Sequence, residues 1–158
     1  MCSIFDNIDL LSEKHPFLAS IQIKLSLEGK DVFTHTCGGT ILSEKHVLTA
    51  AHCFLKEYPT SSYFVLLGHS YVLIDDNNYD KLSDDLYKVK RCVIHDGFSE
   101  STPYIYDIAM IILQSRISFK AKIQKAKLVK LYNIPEGAKA GFKIKLDNTW
   151  QYFNHICL

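Results

Sequence analysis

The sequence has no apolar run approaching the roughly 20 residues that a membrane-crossing helix requires, so no such helix is expected. It also lacks an excess of charge. Its 18 basic and 17 acidic side chains leave a formal +1, which supplies no long-range field to draw in nucleic acid or an anionic bilayer, and neither is expected as a partner. Glycine and proline are scarce, at seven and four. With no internal repeat, low-complexity block or Pro/Ser-rich linker, the chain is expected to be a single domain over 1–158 rather than two. An apolar leader is wanting too: Met1 to Pro16 carries Asp6, Asp9 and Glu13, so no export signal is expected in this stretch. Nor is the cysteine count even. Of Cys2, Cys37, Cys53, Cys92 and Cys157, at least one is free or paired with another molecule if the others bridge, and the count alone leaves the redox compartment open.

What is present is enough apolar material, 47% of the residues, to bury one sizeable core. It comes in short segments separated by polar turns: Phe17 to Leu27, Thr40 to Leu48, Tyr63 to Leu67, Tyr71 to Ile74, Tyr87 to His95, Ile108 to Leu113 and Ile123 to Leu131. Ala19, Ile21, Ile23, Leu25 and Leu27 alternate with Ser20, Gln22, Lys24 and Ser26, the period-two pattern of a strand with one wet face. Many such strands with turn-rich connections predict an all-β fold, an antiparallel barrel or sandwich. Asp75 to Asp85 reads as an exposed acidic loop, and a short helix is expected only within Ala50 to Tyr58. Pro135 to Gly137 signals a turn, Phe142 to Leu146 reads as one more strand, and the last twelve residues give no clear pattern.

The informative segment runs Cys37, Gly38, Gly39, Thr40, Ile41, Leu42, then Val47, Leu48, Thr49, Ala50, Ala51, His52, Cys53. Two glycines let backbones approach closely, and two alanines leave room beside the histidine ring. This segment resembles the trypsin-like, chymotrypsin-fold serine proteases. Downstream, Asp107 followed by Ile108, Ala109, Met110, Ile111, Ile112 and Leu113 is similar to the aspartate-led strand of the same family, and the order histidine then aspartate agrees with it. Weaker echoes are His15, Pro16 and Phe17; Leu67 and Gly68; and Val93, Ile94, His95 and Phe98. The resemblance covers about residues 16–141. It implies a Cys37–Cys53 disulfide, His52 as general base and Asp107 as the carboxylate that orients it. It also implies a fold whose first barrel is complete and whose second is mostly absent, a protein or peptide as substrate or binding partner, and an extracellular setting.

The family's nucleophile turn, Gly-Asp-Ser-Gly-Gly, is nowhere in the 158 residues. After Asp107 the only serines are Ser115 and Ser118, neither beside a glycine that would shape an exposed turn, so neither is expected to be the nucleophile. Cys157, flanked by His155, Ile156 and Leu158, reads as a free or intermolecular thiol. Ile4 stands where the family's cleavage-released terminus belongs, but Phe5, Asp6 and Asn7 replace the usual valine and two glycines, and Ser3 precedes it where Arg or Lys would. The expectation is therefore a serine-type endopeptidase family member without its nucleophile, inactive as this chain. The alternative is a non-catalytic homologue that binds a protein partner.

No metal site and no cofactor are expected. The acidic loop fails as an EF-hand because Lys81 replaces the needed glycine and Tyr87 the bidentate glutamate. The histidines have neither i, i+4 nor paired-cysteine spacing for zinc. Lys120, Lys122, Lys125, Lys127 and Lys130 interleave with Ala121, Ile123, Ala126, Leu128 and Leu131, and read as the solvated face of a connecting segment.

Overall fold

A computed structural model describes residues 14–54, 56–69, 73–101 and 104–127, and the backbone of two further strands, Phe142–Leu146 and Thr149–Phe153. The chain divides into two compact units, 1–127 and 128–158.

The first unit is a barrel. Its strands are β1 (Leu18–Leu27), β2 (Lys30–Ile41), β3 (His46–Thr49), β4 (Tyr63–Leu67), β5 (Leu73–Ile74), β6 (Leu86–Ile94) and β7 (Ala109–Leu113). They pair antiparallel in the order β1-β4-β6-β7-β3-β2, and β2 pairs back to β1, so six strands close a ring while β5 attaches to β2 from outside it. Closure leaves none of the six as a free edge. Of the antiparallel barrel or sandwich expected from the short apolar segments, the barrel is what forms, as the family resemblance implied.

The first hairpin turns on Glu28 and Gly29, both at positive φ (52° and 79°), the combination a two-residue turn between right-twisted strands demands. From there β2 runs twelve residues, long enough to pair with β1 along its length and then with β3 through Thr40↔Leu48 and Ile41↔Val47. Register shifts at Ile21/Gln22 and Val89/Arg91 add the local bends that curl a sheet into a barrel.

Alternation fills the interior. Ala19, Ile21 and Ile23 from β1, Tyr63, Val65 and Leu67 from β4, and Ile111 and Leu113 from β7 form one core, joined by Val47, Tyr87 and Val89. Ile117 and Ile123 also pack into it from the segment after β7. The opposite faces of β2 and β4 supply Phe33 and Leu66 to a second, smaller cluster with Ile74 and Leu82.

Several expectations change. The segment Thr40 to Leu48 is two strands, split by a turn in which His46 O accepts from Leu42 and Ser43 N–H. The earlier, polar half of β2 was not foreseen, because Lys30, Asp31, Thr34, His35 and Thr36 break the apolar run. Within Ala50 to Tyr58 the helix is a single 3-10 turn, Ala51–Cys53. The acidic loop is not wholly exposed: Tyr79–Leu82 (α1) is one α-helical turn, Leu82 is buried, and Asp85 is only 6% exposed. The Asp85 carboxylate takes Lys120 Nζ at 2.7 Å and His69 Nε2 at 2.9 Å, which is why it tolerates burial and why Lys120 is more than a solvated lysine. Residues 124–127 are not a strand, and 128–131 lie outside the described residues.

The second unit contains a hairpin of β8 (Phe142–Leu146) and β9 (Thr149–Phe153), paired Phe142↔Phe153 through Leu146↔Thr149. β8 was expected and β9 was not. The Pro135 to Gly137 turn, Ile4, Cys2 and Cys157 lie outside the described residues. Among the described residues no helix is long and apolar enough to cross a membrane.

Candidate functional site

Register explains how the site assembles. β3 and β7 are antiparallel neighbours with Thr49 opposite Ala109. His52 is three residues beyond the end of β3 and Asp107 two residues before the start of β7, so one strand pairing brings together residues 55 apart in sequence.

The 3-10 turn Ala51–Cys53 holds His52. Ala50 and Ala51 are each 1% exposed, so both are packed inside the barrel next to the turn. Cys53 is bonded to Cys37 of β2, with Cα atoms 6.0 Å apart, as the resemblance implied. Thr49 Oγ1 donates to Gly38 O at 2.8 Å, a second tie between the turn and β2. Gly39 lies where an added Cβ would stand 2.9 Å from Val47 Cγ1 and 3.0 Å from Leu48 O, so the close strand approach depends on that glycine.

Asp107 uses both carboxylate oxygens on one residue. Oδ1 accepts the His52 backbone N–H at 2.9 Å and Oδ2 lies 2.6 Å from His52 Nδ1. An ionised carboxylate only accepts, so Nδ1 carries the proton and the Nε2 lone pair is presented away from the aspartate. The two side chains are 30% and 21% exposed, shielded enough to hold their geometry and open enough to meet a ligand.

The backbone before Asp107 is unusual. Tyr106 has φ 52°, its carbonyl accepts Ile108 N–H at 2.8 Å, and its ring stacks on His95 with centroids 4.8 Å apart. A non-glycine residue in that region costs of order 1–3 kcal/mol and persists where surroundings hold it. Tyr104 stacks on the His52 ring itself, 5.3 Å between centroids and 7° between planes, while remaining 54% exposed. Neither tyrosine was singled out from sequence; the signal was two aromatics spaced by one residue ahead of Asp107.

The downstream serines lie elsewhere. Gln114 N–H bonds Lys88 O and Ser118 N–H bonds Tyr87 Oη, both at the start of β6. Asp107 lies by its far end, where His95 N–H bonds Ile108 O, roughly 20 Å away at strand rise. A different serine was overlooked: Ser20 Oγ is 2.7 Å from His35 Nδ1 and accepts from Gln22 Nε2 at 2.7 Å, a polar tie between β1 and β2. Burial holds the His35 imidazole below its ordinary value of 6.5. Cys92, on β6, is a free thiol that burial pushes up to about 12.

The trypsin family profile matches residues 11–151, nearly nine-tenths of the sequence. The chain belongs to the trypsin family. Among its relatives within that family, the tissue-type plasminogen activator of Homo sapiens is 31% identical over 121 residues, covering 77% of this chain and 20% of that protein. That of Bos taurus is 35% identical over 101 residues, 64% of this chain and 16% of that protein, and that of Mus musculus 31% over 102, 65% and 17%. This trypsin-family chain therefore spans a fifth or less of the length of the curated relatives it matches. A peptidase S1 domain and its disulfide are what chain and structure share with the family, and protein or peptide substrates go with that family.

Proposed function

We propose that the 158 residues are one incomplete trypsin-like peptidase domain, a first barrel with the beginning of a second, in which His52 is the general base of peptide-bond hydrolysis and Asp107 holds its tautomer. The observation that supports this reading best is the two-point hold of Asp107 on His52, at 2.9 Å to the backbone N–H and 2.6 Å to Nδ1. That arrangement leaves Nε2 to take a proton from a nucleophile and return it to the leaving amine, and the carboxylate stabilises the imidazolium formed between. The nucleophile itself has to come from outside these residues, since the serines after Asp107 lie far from His52. This chain by itself is then not proteolytic, because a base without a nucleophile and oxyanion donors has no acyl-enzyme to form. An extracellular setting agrees with the Cys37–Cys53 bond, a link that persists where the surroundings are oxidising.

The test is labelling of the purified, folded chain with a fluorophosphonate, read by mass spectrometry beside an intact trypsin-like enzyme. No serine of this chain is expected to label. A labelled serine would sink the reading and make the chain a hydrolase of different layout.

A further inference from the structure

The near-zero net charge of the chain conceals a segregation of sign. Five aspartates gather between Asp75 and Asp85, after β5, whereas β6 carries Lys88, Lys90 and Arg91 and no acidic residue. From Ile108 to Lys127, through β7 and the segment behind it, there are basic residues and again no acidic one. We propose that the outer face of β6, where Lys88, Lys90 and Arg91 stand beside β7, is a binding surface for a sulfated polysaccharide.

Register makes the three cations one patch. Tyr87 and Val89 are buried in the core, so Lys88 between them is turned outward, opposite Phe64 of β4. Arg91 lies opposite Ile112, whose neighbours Ile111 and Leu113 fill the core, and so it too is outside. A regular strand would turn one of two consecutive residues inward, but the register shift between Val89 and Arg91 leaves both Lys90 and Arg91 exposed. Ile112 in turn lies opposite exposed His46 of β3, whose backbone is two strand spacings, about 10 Å, from that of Arg91.

Pairing sets these side chains apart from the other exposed lysines. Lys24, Lys30, Lys56 and Lys120 each meet a carboxylate, on Asp31, Asp76, Glu100 and Asp85. Among the described residues Lys88, Lys90 and Arg91 meet none. Like charges so close repel, and a polyanion relieves that repulsion while releasing its own condensed counterions. The outside of a barrel wall is convex, so the ligand has to bring several anionic groups along its own length rather than be enclosed. No Phe, Tyr or Trp points outward from β3, β6 or β7, which leaves single-stranded nucleic acid no ring to stack on. Sulfate esters on a sugar chain supply charge without needing one. The Cys37–Cys53 bond agrees with an oxidising, extracellular setting, where sulfated polysaccharides are the abundant polyanions. The surface stands whether or not His52 acts in proteolysis.

The test uses the full chain with its disulfide intact and heparin as the probe, by titration calorimetry at about 0.05 M and about 0.15 M NaCl. Expected are binding that weakens as salt rises and loss of binding when the heparin is desulfated. The triple change Lys88→Ser, Lys90→Ser and Arg91→Ser should weaken binding about 100-fold, at about fivefold per side chain, with the strand circular dichroism unchanged. The charge-matched triple Lys24→Ser, Lys30→Ser and Lys56→Ser should stay within about twofold of the parent, since those lysines are already paired. In the parent chain, heparin should protect Lys88 and Lys90, but not Lys24 or Lys30, from acetylation read by mass spectrometry. Absence of binding at the lower salt, equal weakening in the two triples, or protection confined to other lysines overturns the proposal. So does an affinity for oligo(dT) of matched charge, or for phosphatidylserine vesicles, that equals or exceeds that for heparin, which would assign the patch to nucleic acid or to a bilayer.

Discussion

At the scale of single residues, Gly39 and His35 show how narrowly the barrel's chemistry is set. Gly39→Ala would place a methyl group 2.9 Å from Val47 Cγ1 and 3.0 Å from the Leu48 carbonyl oxygen, so its neighbours must shift. The expected cost is about 1–3 kcal/mol, seen as a lower urea midpoint with an unchanged slope. His35 gives a pH signature. Its folded-state pKa is lowered by burial, so the unfolded chain takes up the proton first as pH falls below 6.5. Its contribution is thus intact above pH 6.5 and lost progressively below it. His35→Gln should flatten the fall of the urea midpoint between pH 7 and 5 relative to the parent. For Cys92 the sign is opposite: a thiol pushed up to about 12 stays protonated in the folded chain while the unfolded chain ionises from about 9 upward. Stability should decline as pH rises from 9 towards 12, less steeply in Cys92→Ser. At pH 8, alkylation of Cys92 by iodoacetamide should be far slower in the folded chain than in urea.

At the scale of elements, the bond between Cys37 and Cys53 ties the histidine turn to β2 across 16 residues. Changing both cysteines to alanine should cost about 3 kcal/mol in thermal or urea unfolding. What could be read from sequence here follows from periodicity. β1, β4 and β7 were legible because apolar and polar residues alternate or run unbroken through them, and β4 matches Tyr63 to Leu67 end to end. The first half of β2 was not, because it pairs with β1 while Lys30, Asp31, Thr34 and His35 interrupt its apolar residues; tertiary pairing, not hydrophobicity, makes it a strand. Asp85 failed in the other direction. Its composition reads as loop surface, and only the partners His69 and Lys120, 16 and 35 residues away, make burial affordable. His52, Asp107 and the cysteine pair were found through motif order, whereas Tyr104 and Tyr106 owe their places to ring contacts that no spacing announces.

At the scale of the molecule, every strand of the closed ring lies between Leu18 and Leu113, and the core residues that plug it end at Ile123. A chain ending at Lys127 is therefore expected to keep the strand circular dichroism and the Cys37–Cys53 bond. Failure of that shorter chain to unfold cooperatively in urea would show that the ring is not self-sufficient. The ring also has a kinetic meaning. β1 and β2 meet across a two-residue turn, but β3 pairs with β7 through His46↔Ile112, with some sixty residues of chain between them. Loop closure taxes that contact most, and chains dominated by such pairings fold in milliseconds to seconds rather than microseconds. In a refolding experiment the near-surface aromatic signal of Tyr104 over His52 should appear with the slowest phase, after the bulk of the strand signal. The histidine and aspartate become neighbours only when β3 pairs with β7, so a chain caught before that step has a barrel wall and no site.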